Sequence, residues 1–265
     1  MISENAVRAA EMLMQVRMSG DLIDGLPDDL RPGSPEEAYA IQDAYVPFVH
    51  GKAGGSMLGY KAGATNPAAM ERMALEEPFR AVLLSAFAHP SGASVPAEAC
   101  FMRVLEVEFA FRMADDLPPA AFPYDQDAVR AAVGTLIPAI EVVDSRYADW
   151  TQVGGLQVIA DNGSAGLWVY GQEREDWHGL DLGDLSASLK VDGELVQEGH
   201  SSAVLDSPLN SLTWLANSLC LAGKGLKAGD VVTTGTVTAP HVVGTGHTCT
   251  ADFGDLGEVS ITFEA

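Results

Sequence analysis

Two carboxylates stand two positions apart in the apolar run Leu105-Glu106-Val107-Glu108-Phe109. An extended strand sends residues i and i+2 to one face. Glu106 and Glu108 therefore point together, with Val104 and Ala110 beside them, while Leu105, Val107, Phe109 and Phe111 line the opposite face and pack into a core. Two such carboxylates repel each other and lose hydration as they are buried. A hard divalent cation relieves both problems, because Mg2+ and Mn2+ prefer oxygen ligands. The competing reading is a strand with one wet face, whose polar residues alternate for solvation alone.

A third acid, Glu141, lies in Pro138-Ala139-Ile140-Glu141-Val142-Val143-Asp144-Ser145-Arg146. An acid in a short apolar strand is costly to bury unless it is paired or bound, so Glu141 is a candidate third oxygen ligand. Lysines are scarce: Lys52, Lys61, Lys190, Lys224 and Lys227 are the five. Lys61 sits in the glycine-bounded segment Gly59-Tyr60-Lys61-Ala62-Gly63. By local sequence alone it reads as a surface lysine following a strand.

These residues need a scaffold. The 265 residues, 47% of them hydrophobic, suffice for one large domain or two small ones. No apolar run approaches a membrane span. The first residues, with Glu4, Arg8, Glu11 and Arg17 at helical intervals, read as an amphipathic helix rather than a signal peptide, which points to the cytoplasm. A formal net charge of −22 excludes nucleic acid and anionic membranes as partners. Cys100, Cys220 and Cys249 make no CxxC pair and suggest neither disulfides nor zinc. Cys220 reads as a core thiol, and Cys100 and Cys249 as candidates for exposure.

Residues 1–20 are expected to be helical. Ser34-Pro35-Glu36-Glu37 opens a second helix that runs to about Val49, burying Ala40, Ile41, Ala44 and Tyr45 before the breaker-rich loop 51–55. Short β-like runs then dominate: 57–62, 100–113, 137–144, 156–162, 164–171 and 231–236. The pattern adds a hairpin turning at Asp192-Gly193 and a last hairpin around 254–257. Short helices are expected over 67–75 and 125–135, and a longer one over 208–222. The pattern defines an α+β fold on a mixed, mostly antiparallel sheet structure, with flanking helices. An N-terminal helical segment, 1–52, precedes a catalytic domain, 53–265.

In this order the motifs resemble the fumarylacetoacetate hydrolase superfamily, in its 2-keto-4-pentenoate hydratase and 4-oxalocrotonate decarboxylase branch. The resemblance runs from about Pro35 to the C-terminus. It is carried by Gly59-Tyr60-Lys61-Ala62-Gly63, Glu77-Pro78, Glu106 to Phe111, Ala139 to Arg146, Asp161-Asn162-Gly163-Ser164, Thr234-Gly235-Thr236 and Ala251 to Gly257. It implies a β-sandwich or roll with an Mg2+ or Mn2+ ion at its open mouth, held by Glu106, Glu108 and Glu141. It also implies Lys61 as acid/base, a role for Asp161, Asn162 and Ser164 in lining the site, and Gly235 and Thr236 as binders of the substrate carboxylate. A homo-oligomer follows from the same likeness, with a pathway partner enzyme as a further associate. Such an ion would grip a 2-keto acid by its carboxylate and keto oxygens and favour its enolate.

Two departures matter. Hydratases of this branch often carry an acid just after Glu-Pro, where this chain has Glu77-Pro78-Phe79-Arg80-Ala81. Arg80 or Arg72 could instead meet a distal carboxylate, the bland alternative being two surface arginines. No histidine is followed by Glu at His-x-x-Glu spacing, which disfavours the acylpyruvate C–C hydrolase branch. The expectation is a hydratase of 2-hydroxypenta-2,4-dienoate-type acids in aromatic catabolism. A 2-oxo-3-hexenedioate decarboxylase is the alternative, and a non-catalytic partner subunit is less favoured.

Overall fold

A computed structural model describes residues 2–265. Among them the helices are α1 (Glu4–Ser19), α2 (Pro35–Ala53), α3 (Pro67–Met73), α4 (Gln126–Ala131), α5 (Gly155–Ala160) and α6 (Pro208–Leu221). The strands are β1 (Met57–Gly63), β2 (Phe79–Leu84), β3 (Ala88–Pro90), β4 (Ala93–Val95), β5 (Val104–Met113), β6 (Val133–Val143), β7 (Ala165–Tyr170), β8 (Ser186–Val191), β9 (Glu194–His200), β10 (Val231–Thr236), β11 (His241–Val242), β12 (Thr248–Asp252) and β13 (Glu258–Phe263).

Local chemistry accounts for most boundaries. The hydroxyls of Ser3 and Ser34 accept the backbone N–H of Ala6 and Glu37, capping α1 and α2. Helix α2 runs four residues past the expected end at Val49, because Gly51 stays helical. It stops at Gly54, which turns to φ 75°. Ala40, expected to be buried there, is only partly covered. The helix expected over 125–135 is confined to α4, and Val133 already opens β6. The run 156–162 is a correction: it forms α5 and a short turn instead of a strand, packed on α2. Periodicity cannot separate a short apolar strand from a buried helix.

One sheet of eight strands has the order β2-β1-β10-β5-β6-β7-β3, with β11 joined to β5. A second of five has the order β4-β13-β12-β8-β9. Pairing is antiparallel except at β1–β10, β3–β7 and β4–β13, so the sheets are mixed and mostly antiparallel, as expected. The large sheet curls until β2 touches β7. Its outer face carries the main core, where Leu105, Val107, Phe109 and Phe111 meet Val259, Ile261 and Phe263 of the second sheet. Leu13 of α1 and Tyr45 of α2 belong to the same core. The inner face carries a smaller cluster of Leu83, Ala110, Ile137, Ala139, Trp168 and Val231. All three cysteines are buried, so the exposure expected of Cys100 and Cys249 is not found. Burial pushes both thiols up to about 12.

Gly59 is required where β1 meets β10. A Cβ there would lie 1.9 Å from the Val231 carbonyl oxygen, and its φ is 152°. This close backbone approach seats Lys61 two residues further along the inner face.

Candidate metal centre and its cavity

Strand register assembles the carboxylates. Glu106 on β5 lies directly opposite Glu141 on β6, and Glu108 is two residues along β5 on the same face. One oxygen from each of Glu106, Glu108 and Glu141 lies within 4.8 Å of the others. The wet-face reading fails here: Glu108 is fully buried, Glu141 nearly so, and the inner face beyond them is apolar. At an effective dielectric of about 20, two unit charges at such a separation repel by about 3.5 kcal/mol.

Some of that charge has protein partners. Thr233 donates its hydroxyl proton to Glu108 Oε2, and the Gly235 N–H donates to the same oxygen at 2.9 Å. Lys61 Nζ donates to Glu141 Oε1 and, at 3.0 Å, to the Gly163 carbonyl. Glu108 Oε1 and Glu141 Oε2 are buried with no hydrogen-bond partner among the described residues. The donor set is all carboxylate oxygen, and two of those oxygens have no protein partner among the described residues. These residues fit a hard divalent cation.

The titration of the cluster follows its surroundings. Burial, then the charge of Glu141, pushes Glu106 up to about 7, against the pull of Lys61 and Arg72. Burial, then Glu141 and Glu106, raises Glu108 well above the usual carboxylate range. Burial alone would lower Lys61. The charges of Glu141 and Glu106, with the hydrogen bond to Glu141, outweigh it and raise the lysine.

A cavity of about 190 Å³ reaches this cluster at Glu106. Lys61, Glu106, Arg72, Ser164, Gly235 and Thr236 all contribute to its wall. Ser164 is buried at φ 53°, and its hydroxyl has no partner among the described residues. Lys61 is not a surface lysine; it is buried at 3% exposure.

Other sequence candidates are placed elsewhere. Arg80 faces away from the cavity: its guanidinium stacks on Tyr39 at 3.8 Å and donates to Ser218 Oγ at 3.0 Å. Alternation along β2 sends Phe79 into the cavity and its neighbour Arg80 to the opposite side. The Asn162 amide is fully engaged by the backbone of Val82, which it brackets as a strand partner would. Asp161 is buried against Arg146, with Oδ1 2.7 Å from Nε, and does not line the cavity. The Gly235 N–H expected to hold a substrate carboxylate already serves Glu108, and the Thr236 hydroxyl donates to the Thr238 carbonyl at 3.0 Å.

Sequence reasoning missed Thr233. Thr233 stands opposite Ala110 on β5, beside Glu108, and the polar run Thr233-Thr234 inside a buried strand was its one signal. Phe79, which stands where hydratases of the branch often carry an acid, lies on the cavity wall.

A curled mixed sheet presenting three convergent glutamates and a buried lysine on its inner face defines a scaffold with a candidate carboxylate metal centre. Residues 60–264 match the family model described as fumarylacetoacetate (FAA) hydrolase C-terminal, and the chain belongs to that family. It is 31% identical to a 2-keto-4-pentenoate hydratase of Burkholderia vietnamiensis, over 99% of both chains. It is also 31% identical to a 4-oxalocrotonate decarboxylase of Pseudomonas putida, over 98% of this chain and 97% of that one. Among solved structures, the 4-oxalocrotonate decarboxylase of Pseudomonas putida G7, complexed with magnesium and adipate, superimposes with a TM-score of 0.91. That match has 29% identity and covers 98% of this chain and 97% of that one.

Proposed function

We propose that this protein is a divalent-metal-dependent lyase that adds water to 2-hydroxypenta-2,4-dienoate-type acids in the breakdown of aromatic compounds. The observation that carries the reading is the convergence of Glu106, Glu108 and Glu141, two with unpartnered buried oxygens, beside Lys61. The hydratase relatives at 31% identity over the whole chain support the reaction, and the magnesium bound by the P. putida G7 relative supports the ion. Glu106, Glu108 and Glu141 would hold Mg2+ or Mn2+, which when bound supplies a Lewis acid for a 2-keto acid.

The chain's own residues supply the rest. Lys61, hydrogen-bonded to Glu141, is the proton donor at the reacting chain. The dienol loses its O–H proton and gains one at C5, giving the conjugated keto acid. Water then adds its hydroxyl to C4 and a proton to C3, giving 4-hydroxy-2-ketopentanoate. The free Ser164 hydroxyl on the cavity wall is the group that orients the water. Phe79, Met73 and Val158 form one apolar cluster on the cavity wall and limit its hydration.

A second reading is favoured by Phe79. Hydratases of this branch often carry an acid there, and here the wall is aromatic. Decarboxylation of 2-oxo-3-hexenedioate needs no activated water: the C5–C6 bond breaks, CO2 leaves, and the electrons return as the dienol. Incubation of the Mg2+-loaded protein with the dienoate and with the hexenedioate, following ultraviolet absorbance and CO2, separates the two. Loss of dienoate absorbance without CO2 is expected. CO2 from the diacid with no hydration of the monoacid assigns decarboxylation, and inertness toward both overturns the lyase reading. A cytoplasmic homo-oligomer, with a pathway partner enzyme as associate, completes the proposal. No helix among the described residues is long and apolar enough to cross a membrane.

A further inference from the structure

We propose that Trp168 is a positioning residue for Glu141, and that it acts through one water molecule bound between them. The proposal deepens the metal-centre reading above and rests on it. Glu141 on β6 and Trp168 on β7 stand directly opposite each other. Their side chains therefore leave the sheet on the same face, with Cβ atoms about 5 Å apart. Glu106, Glu141 and Trp168 form one row across β5, β6 and β7. Trp168 is 3% exposed and stacks on Tyr170 with ring centroids 5.3 Å apart. Its Nε1–H is buried with no acceptor among the described residues. On the opposing residue, Glu141 Oε2 is buried with no donor among them.

Both residues line a cavity of about 20 Å³. It shares no wall residue with the larger cavity that reaches Glu106. About 10–15 Å³ of such space admits one water, provided that polar groups are there to hold it. Trp168 supplies a donor and Glu141 an acceptor. Tyr45 lies on the same wall, and its hydroxyl is likewise buried without a partner among the described residues. A water here satisfies groups that are costly to bury unpaired. A carboxylate oxygen has two lone pairs, so Oε2 can accept from the water and still turn to a cation. Lys61 already holds Oε1. The two anchors fix the plane of the Glu141 carboxylate, as the outer partners of metal ligands do.

Calorimetric titration of Mn2+ into the wild type, Trp168→Phe, Tyr45→Phe and the double variant tests this, with circular dichroism as the check on folding. Phenylalanine keeps an aromatic ring in the apolar cluster of the inner face and deletes the N–H. Trp168→Phe should weaken Mn2+ binding about tenfold. The double variant should bind as Trp168→Phe does, because the water is already lost, whereas separate packing losses would add. A high-resolution crystal structure of the wild type should show a water within hydrogen-bond reach of Trp168 Nε1 and Glu141 Oε2. Unchanged Mn2+ affinity in Trp168→Phe, losses that add in the double variant, or a cavity without that water overturns the role of Trp168 and leaves the metal centre standing. Where Trp168→Phe does not fold, the wild-type crystal structure decides by itself. Mn2+ binding that is absent from the wild type, or undiminished by Glu141→Gln, overturns Glu141 as a metal ligand, and the proposal with it.

Discussion

Lys61 on β1 donates a hydrogen bond to Glu141 on β6, although 80 positions separate them in the chain and two strands, β10 and β5, lie between theirs in the sheet. In a flat sheet three ladder steps would hold their backbones about 14 Å apart with side chains parallel. The contact exists because the sheet curls. The same curl creates the inner face on which the carboxylates converge.

That convergence predicts a protein strained without its ion. Glu106→Gln should raise the melting temperature of the metal-free protein, because it removes one of three crowded charges, and should abolish the gain in melting temperature on adding Mn2+. Differential scanning calorimetry with and without Mn2+ reads both effects. A variant that keeps the full Mn2+-dependent gain removes Glu106 from the metal centre.

Lys61 is the counter-charge to Glu141, and the proposed function makes it the proton donor as well. Lys61→Arg should keep the charge and the fold but lower kcat about a hundredfold or more, since a guanidinium does not release its proton near neutral pH. Stopped-flow ultraviolet kinetics alongside circular dichroism separates lost chemistry from lost structure. Wild-type turnover in Lys61→Arg would make the lysine a counter-ion only.

The Arg146–Asp161 pair is fully buried, and Asp161 also accepts the Arg146 backbone N–H at 3.1 Å. Removing one partner strands a buried charge. Asp161→Asn should therefore destabilise the fold by about 3–5 kcal/mol in urea titration. Because the 161–164 turn presents Gly163 to Lys61 and Ser164 to the cavity, activity should fall further than the folded fraction.

Acid stability offers a test away from the site. Hydrogen bonds from Arg112, and secondarily from Thr135, hold Glu173 below its ordinary carboxylate value of 4.5. A depressed folded-state pKa stabilises the protein above the unfolded value and loses that contribution as pH falls through the folded one. Both side chains are about one-third exposed, at 34% each, so the contribution is about 1 kcal/mol or less. Urea midpoints of Glu173→Gln should fall below wild type at neutral pH and converge with it near pH 3.

Sequence alone determined the elements that simple chemistry punctuates. Ser34-Pro35 started α2, Asp192-Gly193 turned the β8–β9 hairpin with both residues at positive φ, and alternation put Leu105, Val107, Phe109 and Phe111 in the core. It also put Glu106 and Glu108 on one face, since a two-residue period is a local property. Only the tertiary structure decided the rest. The antiparallel register set Glu141 opposite Glu106, and the curl delivered Lys61 to Glu141. Packing also separated neighbours of similar promise: Ser164 opened onto the cavity, while Asn162 was drawn to the backbone of Val82. Arg72 faced the same cavity while Arg80 turned to Tyr39 and Ser218. Residue type states what a side chain can do. The direction it points, and which groups from distant strands meet it there, depends on long-range pairing that no local spacing encodes.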